Sequence, residues 1–311
     1  MRYVLIFNPV AGKKNPFETY FPSLDAYFKE HNMEFTYYLT EHRGHATEIA
    51  RLEAEKGDDV RIFGFGGDGT LREIALGAAG HEKAEVGIFP CGSGNDYVRT
   101  FGDGLDFNDV ERQLFGESKT VDMIRADDTT ALGLCSIGLD ASVALNMVKF
   151  KSWPLVSGSM AYNLALVKCL CSRIGSEMEV LIDEGKRIAG NFLFVLAGSG
   201  QYYGGGYRGA PEAVPDDGLL DFVLVRKVSR FRLATLLKLY KAGQHLHSPK
   251  FKDLLYFERG RRMEVRPRQP ITANYDGECR RVNSISFEVL PQAVRFILPA
   301  THARQEMKAL I

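Results

Sequence analysis

The chain has 311 residues, is 45% hydrophobic, and carries 39 basic and 39 acidic side chains, leaving no formal net charge. That length accommodates two domains with separate cores, and the charge balance argues against a protein built around nucleic-acid affinity. Five cysteines without zinc spacing read as reduced structural thiols.

Apolar runs at 3–7, 35–39, 60–65 and 86–89 predict strands, and the segments 18–31, 45–56 and 71–79 between them predict helices. This βαβα order implies a mostly parallel sheet covered by helices. Two of the strands run into glycine-rich turns: Gly64-Phe65-Gly66-Gly67-Asp68-Gly69-Thr70, then Pro90-Cys91-Gly92-Ser93-Gly94-Asn95-Asp96. In an open parallel sheet such strand ends share one edge, where ligands bind. Glycines let the backbone approach a phosphate, and N–H groups at a helix start can hold it. Thr70 with Glu73 fits a capping box, so a helix should begin just after the glycines.

Asp68 and Asp96 put carboxylates beside those phosphates, which suits a Mg²⁺-bound nucleotide. The spacing Gly64-x-Gly66-x-x-Gly69 also matches the dinucleotide fingerprint. The next strand, however, ends in Phe89-Pro90-Cys91 where that fingerprint wants an acidic residue for a ribose. An Asp inside the loop would also repel a bare pyrophosphate. A metal-nucleotide site is the better reading.

From about Met123 alternating runs dominate, at 178–182, 191–196, 219–225, 263–265, 271–275 and 286–290. Turns such as Asp183-Glu184-Gly185 and Asp216-Asp217-Gly218 separate them, so this part reads as an antiparallel, mostly β domain. Helical insertions interrupt it near 141–172 and 229–243. The final run at 294–298 fits either domain. The best candidate for a membrane span, 155–171, is too short and is broken by Gly158, Asn163 and Lys168. The N-terminus lacks the charged start and cleavage site of a signal peptide. Together these readings predict a cytoplasmic protein without a transmembrane segment, peripheral at a membrane surface.

Five ordered motifs resemble the diacylglycerol kinase catalytic family, which groups bacterial lipid kinases with sphingosine and ceramide kinases. They are Asn8-Pro9-Val10-Ala11-Gly12; Thr40 with Gly44-His45-Ala46; the two glycine loops taken together; Asp217-Gly218-Leu219-Leu220-Asp221; and Asp276-Gly277-Glu278. The resemblance implies an α/β protein of two domains. Residues 1–122 would form a Rossmann-like nucleotide domain, to which the tail 295–311 returns. Residues 123–294 would form a mostly antiparallel β-sandwich for the lipid, with a cleft between the two.

The resemblance also implies the site. Asn8, Pro9, Gly12, Lys13, Thr40, Gly66, Gly67, Asp68, Gly69, Thr70, Ser93, Asn95 and Asp96 would contact ATP. Asp68, Asp96 and Asp122 would form a water-linked Mg²⁺ network. Asp217, with the carbonyls of Val214 and Leu219, would hold a second, structural cation.

Asp276 is the expected general base, because attack by a lipid hydroxyl needs a positioned group to take its proton; Glu278 would orient a neighbour or the metal. Asp276-Gly277 equally fits a hairpin turn. The implied activity is ATP-dependent phosphorylation of diacylglycerol or a related long-chain lipid, in phospholipid metabolism. The alternatives are an NAD kinase, which shares Gly-Gly-Asp-Gly-Thr, and a catalytically silent lipid- or nucleotide-binding protein. The lipid itself, the nucleotide, and homodimerisation stay open.

His42 and His45 lack a cysteine or carboxylate cluster that would give them metal spacing. The basic run Arg261, Arg262, Arg266 and Arg268 reads as a solvated face or a contact with anionic headgroups. The apolar stretch Phe150, Trp153, Pro154, Leu155 and Met160 reads as core packing or as shelter for an acyl chain.

Overall fold

The computed structural model describes residues 1–301, apart from Ser152, Pro154, Leu155, Ser157 and Arg173. It divides into two compact units, Met1–Val121 together with the chain from Gln292 on, and Asp122–Pro291. Asp122, read from sequence as the last residue of the first domain, falls in the second unit.

The first unit runs β1 (Arg2–Phe7), α1 (Pro16–Glu30), β2 (Phe35–Leu39), α2 (His45–Ala54), β3 (Val60–Gly66), α3 (Asp68–Ala78), β4 (Ala84–Pro90), α4 (Asp96–Arg99), α5 (Val110–Leu114) and the start of β5 (Glu117–Ala126). Its strands pair in parallel in the order β4-β3-β1-β2. β3 and β4 are buried almost throughout, as strands with both faces covered must be. β2 lies at the edge, with Phe35 and Tyr38 half-buried and the other three residues exposed. Phe7, Phe65 and Phe89 lie side by side at the carboxyl ends of β1, β3 and β4. Their rings stack, with centroids 4.3 Å and 4.4 Å apart. This aromatic floor supports the loops that leave those three strands.

The second unit continues β5 and adds β6 (Thr129–Ala131), β7 (Leu134–Gly138), α6 (Leu139–Lys151), α7 (Gly158–Cys171), β8 (Ser176–Ile182), β9 (Lys186–Gly198), β10 (Leu220–Arg226), α8 (Arg230–Lys241), β11 (Leu255–Gly260), β12 (Arg262–Pro267), β13 (Ile271–Tyr275), β14 (Glu278–Val282) and the first part of β15 (Ile285–Leu298). Its strands pair antiparallel along the path β14-β13-β7-β9-β8-β12-β15. One face buries Ile137, Val180, Phe192, Phe222 and Phe287; the other buries Leu193, Leu196, Val223, Leu236 and Tyr240. The helical insertion at 141–172 is two helices, and α6 packs on α7 through Val143, Ala165 and Cys169.

β15 divides at Gln292, whose φ is 50°. Residues 285–288 pair with β12, while Arg295 and Phe296 pair in parallel with β4. The run 294–298 therefore belongs to the first unit. Residues 302–311 of the expected returning tail lie outside the described residues.

Candidate active site

In the first unit three loops converge above the aromatic floor. The Asn8 side-chain amide donates to Thr70 Oγ1 at 3.0 Å, and its carbonyl accepts from Val10 N–H. Thr40 N–H donates to the Phe7 carbonyl, fixing the end of β2 beside the end of β1. Gly12 has φ +73°, and a Cβ there would lie 2.2 Å from the Cys91 carbonyl oxygen. The first loop therefore lies directly against the loop that follows β4, and only glycine fits the contact. Lys13 and Ser93 are exposed, at the rim of their loops. Burial pushes the Cys91 thiol up to about 11, so this cysteine is not a nucleophile at neutral pH.

The expected capping box is not formed. α3 starts at Asp68 with Gly67 at its N-cap. Thr70 Oγ1 is the acceptor for Asn8, and the Glu73 carboxylate accepts from Gly44 N–H at 3.0 Å. Both side chains tie loops together instead of capping their own helix. The first turn of α3 is left without a side-chain cap, the arrangement in which helix N–H groups receive an anion.

Asn95 holds the second glycine loop. It adopts a left-handed conformation, accepts from Gly92 N–H and donates to the carbonyls of Gly92 and Pro90. Asp68 Oδ1 accepts from the N–H groups of Asp96 and Tyr97, at 2.7 and 3.1 Å. Its other oxygen turns toward the neighbouring carboxylate: a Cβ on Gly94 would lie 2.9 Å from Asp68 Oδ2 and 3.3 Å from Asp96 Oδ2. Two carboxylate oxygens thus flank one small space, and an oxygen-lined space of this kind suits a hard divalent cation. Asp96 is itself buried.

In the second unit Asp276 and Gly277, both with positive φ, form the two-residue turn between β13 and β14. The Asp276 carboxylate reaches back to the start of β7. It accepts from Leu132 N–H at 2.5 Å, from Gly133 N–H at 3.1 Å and from Leu134 N–H at 2.8 Å. Glu278 lies across the turn, half-buried and opposite Tyr275. Asp122 is fully buried; its N–H donates to the Pro215 carbonyl and its Oδ2 accepts from Gly218 N–H at 2.8 Å. It thereby anchors the turn that carries Val214, Asp217 and Leu219. Asp217 Oδ1 accepts from Leu219 N–H, and its Oδ2 lies 3.9 Å from Arg259.

Two carboxylates that sequence reasoning did not assign to the site stand out. Asp221 is buried; Arg259 Nε donates to its Oδ1 at 3.0 Å, while its Oδ2 has no hydrogen-bond partner. Burial pushes its carboxyl up to about 7 despite the guanidinium. Asp140, at the start of α6, has a buried Oδ2 with the Ser136 and Tyr203 hydroxyls as its neighbours, and its Oδ1 accepts from Ala141 N–H at 2.8 Å. Burial raises Asp140 to about 6. Asp221 ends the Asp217–Asp221 motif without having been given a role there, and the signal for Asp140 was a lone acid inside an apolar run.

The Asp140 shift carries a stability consequence. Between its ordinary 3.8 and about 6, the folded state keeps a proton that the unfolded state has lost, so stability falls as pH rises through that window. Relative to wild type, Asp140→Asn should gain up to about 3 kcal/mol between pH 4 and pH 7. Urea unfolding of both proteins at the two pH values measures this; a pH-independent difference would refute it.

His42 and His45 do have a carboxylate neighbour, contrary to the sequence reading. Glu48 brings one oxygen within 4.8 Å of a nitrogen from each ring. The rings stack nearly parallel, 4.7 Å apart, and His45 Nδ1 accepts from Glu41 N–H. Parallel rings aim their in-plane lone pairs alongside one another rather than at a common ion.

Residues 2–126 match the Diacylglycerol kinase catalytic domain, and residues 133–298 match the YegS C-terminal NAD kinase beta sandwich-like domain. A "Diacylglycerol kinase" of Staphylococcus carnosus is 26% identical over 298 residues, covering 95% of this chain and 94% of its own. A "Probable lipid kinase YegS-like" protein of Shewanella frigidimarina is 30% identical over 247 residues, covering 77% and 76%. A solved diacylglycerol kinase structure from Bacillus anthracis str. Sterne superposes with a TM-score of 0.69 at 21% identity, covering 96% of each chain. The fold is therefore that of the diacylglycerol kinases, an N-terminal parallel α/β domain with a C-terminal β-sandwich-like domain. The chain belongs to the diacylglycerol kinase catalytic domain family, among the bacterial diacylglycerol kinases and YegS-like lipid kinases.

Proposed function

We propose that the protein is an ATP-dependent lipid kinase that phosphorylates a hydroxyl of diacylglycerol or a related long-chain lipid. The observation that carries this reading is the pair Asp68 and Asp96, whose Oδ2 atoms converge between two glycine loops at parallel strand ends. The loops after Asn8, Gly66 and Pro90, with Thr40 beside them, would bind and orient the triphosphate. Asp68 and Asp96 would hold Mg²⁺ through water. When bound, that ion would offset negative charge on the transferring phosphoryl group. Asp276 would accept the proton of the attacking hydroxyl, with the Leu132–Leu134 backbone fixing its orientation. Glu278 would orient a neighbour or the metal.

A phosphoryl-transfer screen with labelled ATP across diacylglycerol, sphingoid bases, ceramide and NAD tests it. Label on a lipid is expected. Label on NAD alone favours the NAD kinase, and ATP binding without transfer to any acceptor favours the silent binding protein. The protein would act on the cytoplasmic side of a membrane. Sedimentation in solution reads whether it does so as a monomer or a homodimer.

In the second unit, Asp217 with the carbonyls of Val214 and Leu219 would hold a structural hard cation. The unpartnered Oδ2 of buried Asp221 nearby fits a site that lacks positive charge beyond Arg259. Saturating Ca²⁺ or Mg²⁺ should raise the wild-type melting temperature by about 5 °C, since a ligand of the native state stabilises it. An equal rise in Asp217→Ala would remove this cation from the 214–219 turn.

A further inference from the structure

Asp140 is a buried acid that the phosphoryl-transfer reading leaves without a task. Burial raises its carboxyl to about 6, so at neutral pH it is ionised inside the fold, at a cost in stability. A costly buried charge is retained most readily where function uses it. Asp140 follows the end of β7, and the first residue of that strand, Leu134, donates its N–H to Asp276.

Two routes lead from Asp140 to the Asp276 turn. The first crosses β7 and β13. The Ser136 hydroxyl is one neighbour of the Asp140 carboxylate, and Ser136 pairs in register with Asn274. Asn274 is buried, and its side-chain carbonyl accepts from Gly277 N–H at 2.8 Å, inside the turn that carries Asp276. On the far side of that turn, Cys279 Sγ lies 3.6 Å from the Ala141 carbonyl at the start of α6.

The second route follows the segment 199–207. The Tyr203 hydroxyl is the other neighbour of the Asp140 carboxylate and lies 3.0 Å from the Tyr240 hydroxyl of α8. Tyr203 and Tyr207 exchange N–H···O=C bonds of 2.9 Å, closing a turn over Gly204, Gly205 and Gly206, all with positive φ. Just before Tyr203, the N–H groups of Ser199 and Gly200 both donate to the Gly133 carbonyl, at 3.0 and 2.7 Å. That carbonyl belongs to the same peptide group as Leu134 N–H, which donates to Asp276 Oδ1 at 2.8 Å. A peptide whose carbonyl accepts hydrogen bonds is polarised into a stronger donor at its own N–H. Three glycines give the segment little stiffness of its own, so side-chain anchors such as the Tyr203 hydroxyl set its position.

We propose that Asp140 is a positioning residue for the candidate base: by holding the Ser136 and Tyr203 hydroxyls it fixes the Gly133–Leu134 peptide that orients the Asp276 carboxylate. Its effect on rate rests on the reading of Asp276 as the base. Its effect on the peptide does not, and is measured without substrate.

Amide hydrogen exchange of the full chain makes that measurement. In Asp140→Asn and in Tyr203→Phe the Gly133 and Leu134 amides should exchange about 10-fold faster than in wild type, while Ile62 and Phe63 of β3 keep their rates. Turnover reads the consequence: each variant should lose about 10-fold in kcat with the KM for ATP unchanged. Adding Asp140→Asn to Asp276→Asn should cost nothing further, because Asp140 acts through Asp276. Tyr203→Phe removes only a hydroxyl, so it carries the test if Asp140→Asn fails to fold. Wild-type exchange at residues 133 and 134 in both variants overturns the proposal. So does an Asp140→Asn loss that is as large in the Asp276→Asn background as in wild type, the result of a merely structural role. Normal turnover of Asp276→Asn removes the base instead, and the exchange rates then decide alone whether Asp140 holds the peptide.

Discussion

Replacing Asp276 with asparagine should lower turnover by roughly 10²-fold or more while nucleotide affinity changes little. Asparagine nearly preserves the shape but is no base at neutral pH. The geometry adds a second consequence. Asp276 accepts from three successive N–H groups of 132–134. An amide keeps one acceptor oxygen and turns an NH₂ group toward those donors. Losing part of this cradle should cost about 1–3 kcal/mol, visible as a lower melting temperature.

The two roles separate in the pH–rate profile. If Asp276 accepts the proton, the variant loses the acid limb of the wild-type curve. Reduced turnover with an unchanged profile means that Asp276 only positions the 132–134 backbone. Near-normal turnover on the true lipid refutes both.

The other large effect is expected at Gly92. A Cβ there would lie 2.5 Å from Gly67 Cα and 2.8 Å from Asn95 Oδ1. Neither backbone can yield without the other, so Gly92→Ala should force the two glycine loops apart. A displacement of about 1 Å at a reacting group can cost 10²-fold in rate. ATP affinity should fall at least about 10-fold, with overpacking adding about 1–3 kcal/mol of destabilisation. Gly104→Ala is the control, because a Cβ there meets nothing within 4 Å. Calorimetric titration with a non-hydrolysable ATP analogue measures both. Wild-type affinity in folded Gly92→Ala would move the triphosphate away from these loops.

The first unit was the more legible in sequence. Its central strands β3 and β4 are continuous apolar runs that lead into glycine loops, because both faces of a parallel sheet are covered. Their carboxyl ends carry the loops, so motif and fold point to one place. What sequence reasoning missed was set by distant partners. Thr70 and Glu73 have capping-box spacing, but Asn8 and Gly44 engage their side chains. Asp140 and Asp221 look like the solvent-facing members of alternating or amphipathic segments, and burial shows only once the neighbouring layer is known. Pro291-Gln292 reads as a break between two short strands; the chain instead continues as β15, taking up the irregularity in the left-handed conformation of Gln292. The Asp276-Gly277 turn was visible, yet the N–H groups that its carboxylate accepts lie more than 140 residues earlier.

The division of β15 between the units bears on how the protein is made. On the ribosome β4 precedes the second unit, but the strand that pairs with it through Arg295 and Phe296 is translated after that unit. All of Asp122–Pro291 must be synthesised in between, on the order of 10 to 30 s at ordinary elongation rates. Throughout that interval one flank of β4 waits for β15, an open strand edge that invites pairing with other nascent chains. The second unit, by contrast, has its full sequence before the first is complete. A fragment ending at Val121 would keep that edge permanently. Its solubility when expressed alone should improve if residues 292–301 are supplied in trans as a peptide.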